Sequence, residues 1–503
     1  MAEEVELKLA LAEGHQSRFL RHPLLRLAVL RHVETLDNIY YDTAELSLRR
    51  RGIALRLRRK GREWLQTVKL AGSSSAGLTS RPEWEGPYGG HFDFSAVDAA
   101  AVREWLQRPK LLARIIPICE TRFRRITWKF LADPGAVLLT LDRGWIIANG
   151  RREAISEVEL ELAEAPVQAI FELAGQLARR VALTPSVLSK AERGYRLHAG
   201  TPAMPVAAET VQLSSAMAPA DAFRRIALSC LEHLQQNHSG ALGGNDPEYI
   251  HQMGVATRRL RAAMHLFASL LAPDFSSSLR DRLMELMARL GHVHDLDVLL
   301  AEIVNPVLCA LPDEPRLPAL ASEITKRCYA ARERTIELLA APDYGRSLLL
   351  ALESLHSMAS NDPAMRPLHG FASERLKHLH QKLRRQAKAL RVEDPLSLRA
   401  LRLAVKRMRY ALEFFSPLTE KRGLQSMLKQ LATVRDTLGQ LNDLACAGAM
   451  LMNAAGSDPG LREAVTLIGG WHGPRHARLS ARLSPELRRL ARLRLPKLCH
   501  DTK

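Results

Sequence analysis

Residues 4–8 read Glu4-Val5-Glu6-Leu7-Lys8, so three charged side chains alternate with two apolar ones. In a β-strand successive side chains point to opposite faces, which places the three charges on one face and the two apolar side chains on the other. A single strand of this kind usually has a solvent-exposed charged face. The stretch therefore predicts an amphipathic strand near the start of the chain, and taken alone it does not predict a site.

The same alternation recurs along residues 155–162, where Glu157, Glu159 and Glu161 share one strand face. Like charges so placed repel one another unless a cation lies among them. Between the two acidic strands lie basic ones, at residues 55–58 and 65–70. Strands with alternating charged and apolar faces can close into a barrel with a polar lumen. An acidic wall and a basic wall in one lumen suit a metal-bound polyanion.

The composition sets limits on the class of protein. The chain has 503 residues, which predicts more than one domain. Its net charge of +18 favours polyanionic partners, whereas the aromatic content of 5% argues against nucleic acid as a partner. The six cysteines are scattered and predict reduced thiols. Because no long uninterrupted apolar stretch is present, we expect no membrane partner and a cytoplasmic location.

Seven short motifs, in this order along the chain, resemble the CYTH domain, which is the triphosphate tunnel metalloenzyme fold. The motifs are Glu4–Lys8, Tyr40-Tyr41-Asp42-Thr43, Leu55–Arg58, Thr67–Lys69, Arg81–Glu83, Glu157–Glu161 and Ser189–Tyr195. The resemblance covers residues 1–200 and implies an eight-stranded antiparallel tunnel that acts on a triphosphate. It also implies a divalent cation, usually Mg²⁺ or Mn²⁺. A helix predicted over residues 166–181 can plug one end of such a barrel.

Catalysis on a triphosphate is mostly positioning and charge neutralisation, so the charged rows predict the roles of their residues. Carboxylates hold a hard divalent cation, and arginine and lysine bind phosphate oxygens. We expect the metal to be held by Glu4, Glu6, Glu159 and Glu161, with Asp142 as a further candidate. We expect the phosphates to contact Lys8, Arg56, Arg58, Lys69, Arg81, Arg122, Arg125 and Lys190. The predicted catalytic residues are Lys8, Glu157 and Glu83.

Two of these assignments stay open at the level of sequence. Strand parity puts Arg122 on the opposite face from Arg125, while the resemblance favours Arg125, three residues before Trp128. A β-bulge would bring both arginines to one face. Asp142 is explained equally well as a polar residue that opens a turn at residues 143–144.

A linker is predicted at residues 201–218, and everything after it has helical spacing. Residues 250–261 match residues 398–409, and residues 290–296 match residues 438–444 at the same offset. One offset shared by two motifs predicts two copies of a helical unit. The expected domains are therefore a tunnel domain over 1–200 and a helical domain over 219–495, with halves at about 219–365 and 366–495. The fold class is α+β.

Each copy carries basic residues on one helical face. They are His251, Arg258, Arg261 and His265 in the first copy and Arg399, Arg402, Lys406 and Arg409 in the second. The two copies resemble the CHAD domain, a helical module that often follows a CYTH domain, and the resemblance implies binding of inorganic polyphosphate. The two copies differ at two equivalent positions: Gly254 of the first corresponds to Arg402 of the second, and His251 corresponds to Arg399.

The two resemblances together are typical of bacterial CYTH–CHAD inorganic triphosphatases. They predict metal-dependent hydrolysis of inorganic triphosphate to diphosphate and phosphate, with polyphosphate bound by the helical domain. One alternative is the same tunnel acting on an organic triphosphate, as an adenylate cyclase or a thiamine triphosphatase. Another is a non-catalytic protein that binds polyphosphate.

Overall fold

The computed structural model describes residues 2–243, 246–358, 367–392 and 394–499. The chain divides into two compact units. One comprises Met1–Val206, His238–Leu242 and Leu338–Ser357, and the other comprises Ala207–Asn237, Gly243–Glu337 and Met358–Lys503. The domain boundaries given above stay predictions, and the one between residues 365 and 366 lies outside the described residues.

The strands of the first unit form one antiparallel sheet. They are β1 (Ala2–Leu11), β2 (Leu30–Thr43), β3 (Ile53–Lys60), β4 (Glu63–Leu70), β5 (Ser73–Ser75), β6 (Leu78–Pro87), β7 (Ile115–Leu131), β8 (Ala136–Ala148), β9 (Arg151–Ala163) and β10 (Leu183–Pro185). Their order is β10-β1-β9-β8-β7-β2-β3-β4-β6-β5, and β1 also pairs with β6. This extra pairing closes eight strands into a barrel, which confirms the predicted fold class.

The helices occupy the connections of the barrel and the rest of the chain. In chain order they are α1 (Gln16–Leu20), α2 (Ala100–Leu106), α3 (Pro109–Leu112), α4 (Val167–Leu177), α5 (Lys190–Ala199), α6 (Pro219–Gly243), α7 (Pro247–Leu266), α8 (Pro273–Val298), α9 (Asn305–Ala310), α10 (Arg316–Ala340), α11 (Pro342–His356), α12 (Leu368–Lys388), α13 (Pro395–Phe414), α14 (Lys421–Ala455) and α15 (Pro459–Arg492). A π-helical stretch, Leu299–Val304, follows α8. None of the helices in the described ranges is long and apolar enough to cross a membrane.

The apolar core of the first unit lies outside the barrel, because the strands turn their charged faces inward. Leu55 of β3, Val68 of β4 and Trp84 of β6 are buried in one cluster with Phe94 and with Leu106 of α2. Each strand supplies apolar side chains to this layer at every second position, as the alternation of the sequence predicts. The opposite side chains of the same strands are therefore left to line the lumen.

Helix α5 closes one side of the lumen. Its N-terminus is capped by Ser189, whose hydroxyl accepts a hydrogen bond from the backbone N–H of Glu192, and it ends at Gly200 in the left-handed region. α5 packs on β7, β8 and β9. Helix α4, which the sequence suggested could plug one end of the barrel, packs against β9 and α11. Of these two helices, only α5 contributes described residues to the lining of the lumen.

Helix α11 belongs to the first unit although its sequence lies within the helical region. It packs on β10 and on α4. Gly345 makes this approach possible, since a side chain there would collide with the carbonyl oxygen of Leu183. The ring of Phe171 from α4 also stacks on His356.

The helices of the second unit reproduce the repeat that was found in the sequence. α7 begins at Pro247 and α13 at Pro395, 148 residues later. α8 and α14 begin at Pro273 and Lys421, again 148 residues apart. Equivalent aspartates, Asp246 and Asp394, cap α7 and α13. α7 packs on α8, α13 packs on α14, and α7 also packs on α13.

Candidate active site and anion-binding groove

A cavity of about 750 Å³ lies in the lumen of the barrel. Its lining is dominated by charged side chains of both signs. They are Glu4, Glu6, Lys8, Arg56, Arg58, Lys69, Arg81, Glu83, Glu85, Arg125, Glu159, Glu161 and Lys190, with Arg49 and Glu192. Most of the predicted tunnel residues are thus brought together in one cavity, although the motifs that carry them span the first 195 residues.

Strands β1, β4 and β6 contribute one group of ion pairs. Lys69 Nζ lies 2.7 Å from a carboxylate oxygen of Glu4 and 2.6 Å from one of Glu83. Arg81 lies directly across from Glu4 in the pairing of β1 with β6, and its guanidinium donates to Glu6 at 2.8 Å. This part of the tunnel holds its lysine and arginine between carboxylates.

Strands β7, β8 and β9 contribute a second group with helix α5. Arg125 donates to both carboxylate oxygens of Asp142, at 2.7 and 2.6 Å, and to Glu159 at 2.7 Å. Lys190 of α5 lies 2.7 Å from Asp142 and 3.0 Å from Glu159, and it also contacts Glu157. Burial by itself lowers the pKa of Lys190, but these three carboxylates raise it above its ordinary value. Asp142 is fully buried within β8, so the alternative of a turn at this position is excluded.

Asp142, Glu157 and Glu159 form an acidic cluster whose carboxylate oxygens lie within 4.8 Å of one another. Such a cluster can bind a metal ion. Its negative charge is already offset by cations, because the ammonium of Lys190 contacts all three residues and Arg125, Lys8 and Arg193 each contact at least one of them. Burial by itself raises the pKa of Glu159, and Lys190, Lys8 and Arg125 hold it well below its ordinary range.

Glu161 stands apart from these ion pairs. It lies directly across from Glu6 in the pairing of β1 with β9, which is an unfavourable position for two like charges. Burial raises the pKa of Glu161 to about 7, with further contributions from Glu4 and Glu6. Among the described residues, no lysine or arginine is in ion-pair contact with Glu161. Glu4, Glu6 and Glu161 are chemically suited to a divalent cation, but among the described residues only Asp142, Glu157 and Glu159 bring three carboxylate oxygens within 4.8 Å of one another.

Arg58 is the counterpart of Glu161 among the cations. Its Nε donates to the side-chain oxygen of Asn38 at 2.9 Å. Burial lowers the pKa of Arg58 to about 10, with contributions from the neighbouring Arg56 and Arg125. Within the described part of the chain no carboxylate forms an ion pair with Arg58, so its guanidinium remains available to an anion in the cavity.

Arg122 lies outside the tunnel, which corrects its assignment as a phosphate ligand. Its guanidinium is on the outer face of the barrel and donates to Glu120 at 2.8 Å. Residues Thr121 to Lys129 pair with β2 without a register shift, so no bulge turns Arg122 inward. Arg125, three positions along the strand, faces the lumen as parity requires.

The predicted catalytic residues are placed differently from one another. Lys8 lines the cavity and lies 3.4 Å from Glu159, and Glu83 lines it beside Lys69. Glu157 is only 4% exposed and is enclosed by Lys190 and Arg193 of α5. Glu157 is therefore not placed to orient a water molecule in the cavity.

Sequence reasoning missed two residues that position the site. Asn38 holds Arg58, and its signal is the alternation of polar side chains at positions 38, 40 and 42 of β2. Arg193 holds Glu157, and its signal is the spacing of three residues from Lys190, which places both on one face of α5.

In the second unit, the structure brings three of the predicted groove residues together where α7 meets α13. Burial lowers the pKa of Lys406 to about 8, and the charges of Arg402 and Arg258 lower it further. Arg258 lies over Gly254, whose missing side chain leaves room for the guanidinium. We call Arg258, Arg402 and Lys406 the basic groove.

The departures from the repeat have a structural explanation. Arg402 donates to Asn442 at 3.0 Å, which ties α13 to α14. The equivalent tie between α7 and α8 joins His251 Nδ1 to His294 Nδ1 at 3.5 Å. His251 and Arg402 thus occupy corresponding ties between helices, although they are not aligned in sequence.

The other predicted groove residues are dispersed. Arg261 and His265 line a separate cavity of about 70 Å³ with Arg280. Arg399 is exposed, and Arg409 forms an ion pair with Glu413 at 2.9 Å. The two stripes therefore do not form one continuous groove. Only Arg258, Arg402 and Lys406, the basic groove, come together.

Comparison with known proteins gives matches in both units. The model of the CYTH domain matches residues 2–195, and that of the CHAD domain matches residues 225–452. An inorganic triphosphatase of Haemophilus influenzae is 31% identical over 198 residues, which are 39% of this chain and 55% of that protein. The chain thus spans about half the length of this curated relative. The crystal structure of the CHAD domain from Ricinus communis is 33% identical, with a TM-score of 0.51, and covers 59% of this chain and 100% of that domain.

Proposed function

This chain carries a CYTH domain over residues 2–195 and a CHAD domain over residues 225–452, and from this premise we propose the following function. The tunnel hydrolyses inorganic triphosphate to diphosphate and phosphate with a divalent metal ion, Mg²⁺ or Mn²⁺. The helical unit binds inorganic polyphosphate.

One observation carries the proposal for the tunnel. The ion pairs of the lumen leave one guanidinium, Arg58, and one carboxylate, Glu161, without partners of opposite charge among the described residues. A triphosphate with its metal ion carries negative charge on its oxygens and positive charge on the metal. It supplies both missing partners at once, which neither an anion nor a cation does alone.

In this proposal Glu4, Glu6 and Glu161 hold the metal ion, with Glu159 beside them on the same strand face. A bound divalent metal would neutralise negative charge on the phosphate oxygens and so stabilise the leaving group. Arg58 binds a phosphate oxygen directly. Arg56, Lys69, Arg81 and Arg125 are fixed by carboxylates and orient the remaining oxygens.

Glu83 is the residue we assign to the attacking water. Burial by itself raises the pKa of Glu83, but Lys69 and Arg56 lower it below its ordinary value, so the group stays ionised. An ionised carboxylate accepts a hydrogen bond from water and orients its oxygen. Lys8, whose pKa is raised by Glu6 and Glu159 against the effect of burial, stays protonated and can donate to a phosphate oxygen.

The lining of the tunnel favours an inorganic substrate over an organic one. Three rings border the cavity, and Tyr40, Phe123 and Tyr195 are 7%, 3% and 2% exposed. A site for a nucleobase or a thiazolium ring requires an accessible aromatic face. The lining therefore disfavours adenylate cyclase and thiamine triphosphatase activities, which remain alternatives to test. A third alternative is a polyphosphate receptor without catalysis.

The basic groove supports the proposal for the helical unit. It brings Arg258, Arg402 and Lys406 together without a carboxylate in ion-pair contact among the described residues. Like charges held together in this way are unfavourable in the free protein and become favourable when an anion binds between them. A polyphosphate chain carries about one negative charge per phosphate unit, so it can place an anionic group between these cations.

The test is release of phosphate by the full-length chain, with and without Mg²⁺, from inorganic triphosphate, ATP, thiamine triphosphate and long-chain polyphosphate. Metal-dependent release from inorganic triphosphate at the highest kcat/KM is the expected result. Faster release from ATP or thiamine triphosphate would overturn the choice of substrate. No release from any of the four would leave the cyclase and receptor alternatives, which an assay for cyclic AMP separates.

A further inference from the structure

The barrel leaves one stretch of sheet edge uncovered. Strand β7 pairs with β2 over residues 30–43, whereas β3 pairs with β2 only over residues 37–41. The neighbours of β2 in the sheet are β7 and β3, so within the described ranges no strand pairs with residues 30–36 on the side away from β7. An unpaired strand edge presents backbone N–H and C=O groups that can pair with another strand. We call residues 30–36 of β2 the free edge.

The free edge lacks the usual protection against pairing with another chain. The two terminal strands of the sheet, β5 and β10, have three residues each, and such short edges offer little to a partner. The free edge is more than twice as long and contains no proline. The register shift in the pairing of β2 with β7 lies beyond it, between Tyr40 and Tyr41. The edge is thus protected neither by its length nor by a proline or a bulge.

Large apolar side chains gather at the free edge. Val29 donates its backbone N–H to the carbonyl oxygen of Lys129 at 2.9 Å, so the start of β2 and the end of β7 lie side by side. The apolar side chains at this end are between 37% and 70% exposed, and they are Leu27, Val29, Leu30, Val33 and Leu131. Exposed apolar side chains that adjoin one another mark an interaction surface.

The sequence of the free edge is complementary to itself. It reads Leu30-Arg31-His32-Val33-Glu34-Thr35-Leu36. In an antiparallel pair of identical strands, a two-fold axis perpendicular to the sheet keeps every side chain on its own face, so the central residue lies opposite its own copy. With Val33 at the centre, the pairing uses the whole free edge. His32 then lies opposite Glu34 of the second copy, and an imidazole N–H can donate to a carboxylate.

The neighbouring registers lack this complementarity. With Glu34 at the centre, two carboxylates lie opposite each other, which is destabilising. With His32 at the centre, two imidazoles lie opposite each other and Leu30 lies opposite Glu34. The register that pairs the whole edge is therefore also the one that pairs groups of complementary charge.

We propose that the free edge binds a second copy of this chain, so that β2 of two copies forms one antiparallel sheet centred on Val33. Backbone hydrogen bonds along the edge supply affinity, and the pairs of His32 with Glu34 fix the register. The self-complementary sequence assigns the edge to a second copy and not to an unrelated strand. This assembly does not depend on the hydrolytic activity proposed above.

Sedimentation velocity of the full-length chain over a series of concentrations tests the proposal. We expect a reversible shift from the mass of one chain to twice that mass, with a Kd on the order of 1–10 μM, as suits a small interface. A monomer at about 100 μM, or a mass that keeps rising beyond the dimer, would overturn the proposal.

Val33→Lys should dissociate the dimer, because the two-fold axis brings its two ammonium groups opposite each other. The Kd should rise by at least about tenfold. The matched control is Ile116→Lys, which changes another exposed apolar residue of a long strand, across from Asp42 at the far end of β2. It should leave the Kd unchanged. Equal values of Kd in the two variants would show that the dimer uses another surface.

An exchange of charges tests the register. His32→Glu places carboxylates opposite each other and should raise the Kd by about tenfold. Addition of Glu34→His exchanges the two members of the pair and should restore the Kd of the wild type. If the double variant dimerises no better than His32→Glu, while circular dichroism shows both to be folded, the proposed pairing is wrong.

A disulfide reports the same register directly. Cα atoms opposite each other in an antiparallel pair are about 4.5–5.5 Å apart, which a disulfide can span. Val33→Cys should therefore form a covalent dimer when diamide oxidises the two thiols. The copies of Arg31→Cys would lie about 14 Å apart and should cross-link no more than the wild type, which has exposed cysteines of its own. Equal cross-linking of the two variants would contradict the proposal.

Discussion

The tunnel and the basic groove, to which we assign phosphate ligands, balance charge in opposite ways. In the tunnel Lys8, Lys69, Arg81 and Arg125 each contact at least one carboxylate. In the groove the charges of Arg258 and Arg402 act on Lys406, opposed by Asp443, and the described residues place no carboxylate in ion-pair contact with the three cations. The tunnel thus contains paired positive and negative side chains, with Arg58 and Glu161 outside the ion pairs, whereas the basic groove consists of positive side chains.

This difference indicates different tasks. A site of one sign binds an anion by simple attraction, and it needs no metal ion. A site of both signs holds its cations in fixed positions, so that little reorganisation is needed when charge develops on the substrate. The following variants test whether the two kinds of site are as distinct as their charges suggest, beginning with the largest expected effect.

Glu161→Gln should separate the two sites most sharply. The amide keeps the shape of the side chain but removes the charge that a divalent cation requires, so kcat/KM for triphosphate should fall by at least about 100-fold. Polyphosphate affinity of the helical unit should not change. Phosphate release and a polyphosphate binding assay on the same preparation measure the two effects.

The control for Glu161→Gln is Glu120→Gln, which removes a carboxylate from the outer face of the barrel beside Arg122. It should alter kcat/KM by less than about twofold, as is usual for an exposed ion pair. If Glu161→Gln were as active as this control, the metal ion would belong to the cluster of Asp142, Glu157 and Glu159 instead.

Arg258→Ala with Lys406→Ala should have the converse effect. Loss of two charge-assisted contacts should weaken polyphosphate binding by about 10–100-fold, while the turnover of triphosphate is unchanged. Binding is measured by calorimetry on the full-length chain. Arg261→Ala with Arg399→Ala removes the same charge from dispersed positions and should weaken binding less. Equal losses would mean that the whole stripe, and not the basic groove, holds the polymer.

The pH dependence of polyphosphate binding should show whether the protonated ammonium of Lys406 contributes to the affinity. Its pKa is lowered to about 8 by burial and by Arg402 and Arg258, against the opposing effect of Asp443, while Arg435 lowers it further. An anion binds the protonated form, so affinity should fall by roughly tenfold as the pH rises from about 7 to about 9. Lys406→Arg keeps its proton throughout this range, and its binding curve should be nearly flat. A wild-type curve as flat as that of the variant would contradict the assignment.

Arg122→Gln should have the smallest effect. Because Arg122 lies on the outer face of the barrel, we expect a change of less than about twofold in kcat/KM and no measurable shift in the midpoint of denaturant unfolding. Arg125→Gln, in contrast, should reduce kcat/KM strongly. Similar losses in the two variants would restore Arg122 as a tunnel residue.

The barrel could be predicted from the sequence because strand parity is rigid. Once Glu4, Glu6 and Lys8 share a face, the inward residues of the paired strands follow. Parity also placed Arg122 and Arg125 on opposite faces, and the resemblance to the CYTH domain favoured Arg125. Parity does not say where a helix comes to rest. The prediction therefore did not place Glu157 behind Lys190, since that contact depends on how α5 packs on the sheet.

The helical unit shows the same limit more strongly. The repeat offset was read from sequence, and the helix starts reproduce it. A helical stripe, however, says only which residues share a face, and not which of them meet another helix. Arg258 and Lys406 meet because α7 packs on α13, and Gly254 admits Arg258 at that contact. Neither event has a signal within a single helix.

The place of α11 in the first unit bears on the order in which the chain is made. Strand β10 and helix α4 are synthesised well before Pro342–His356, the helix that covers them. At about 5–20 residues per second, the ribosome needs on the order of ten seconds to pass from Val206 to α11. During that time the nascent barrel exposes the strand edge next to Leu183 and the ring of Phe171. The first unit, though most of it stands first in the sequence, is completed only after most of the first helical repeat has been synthesised.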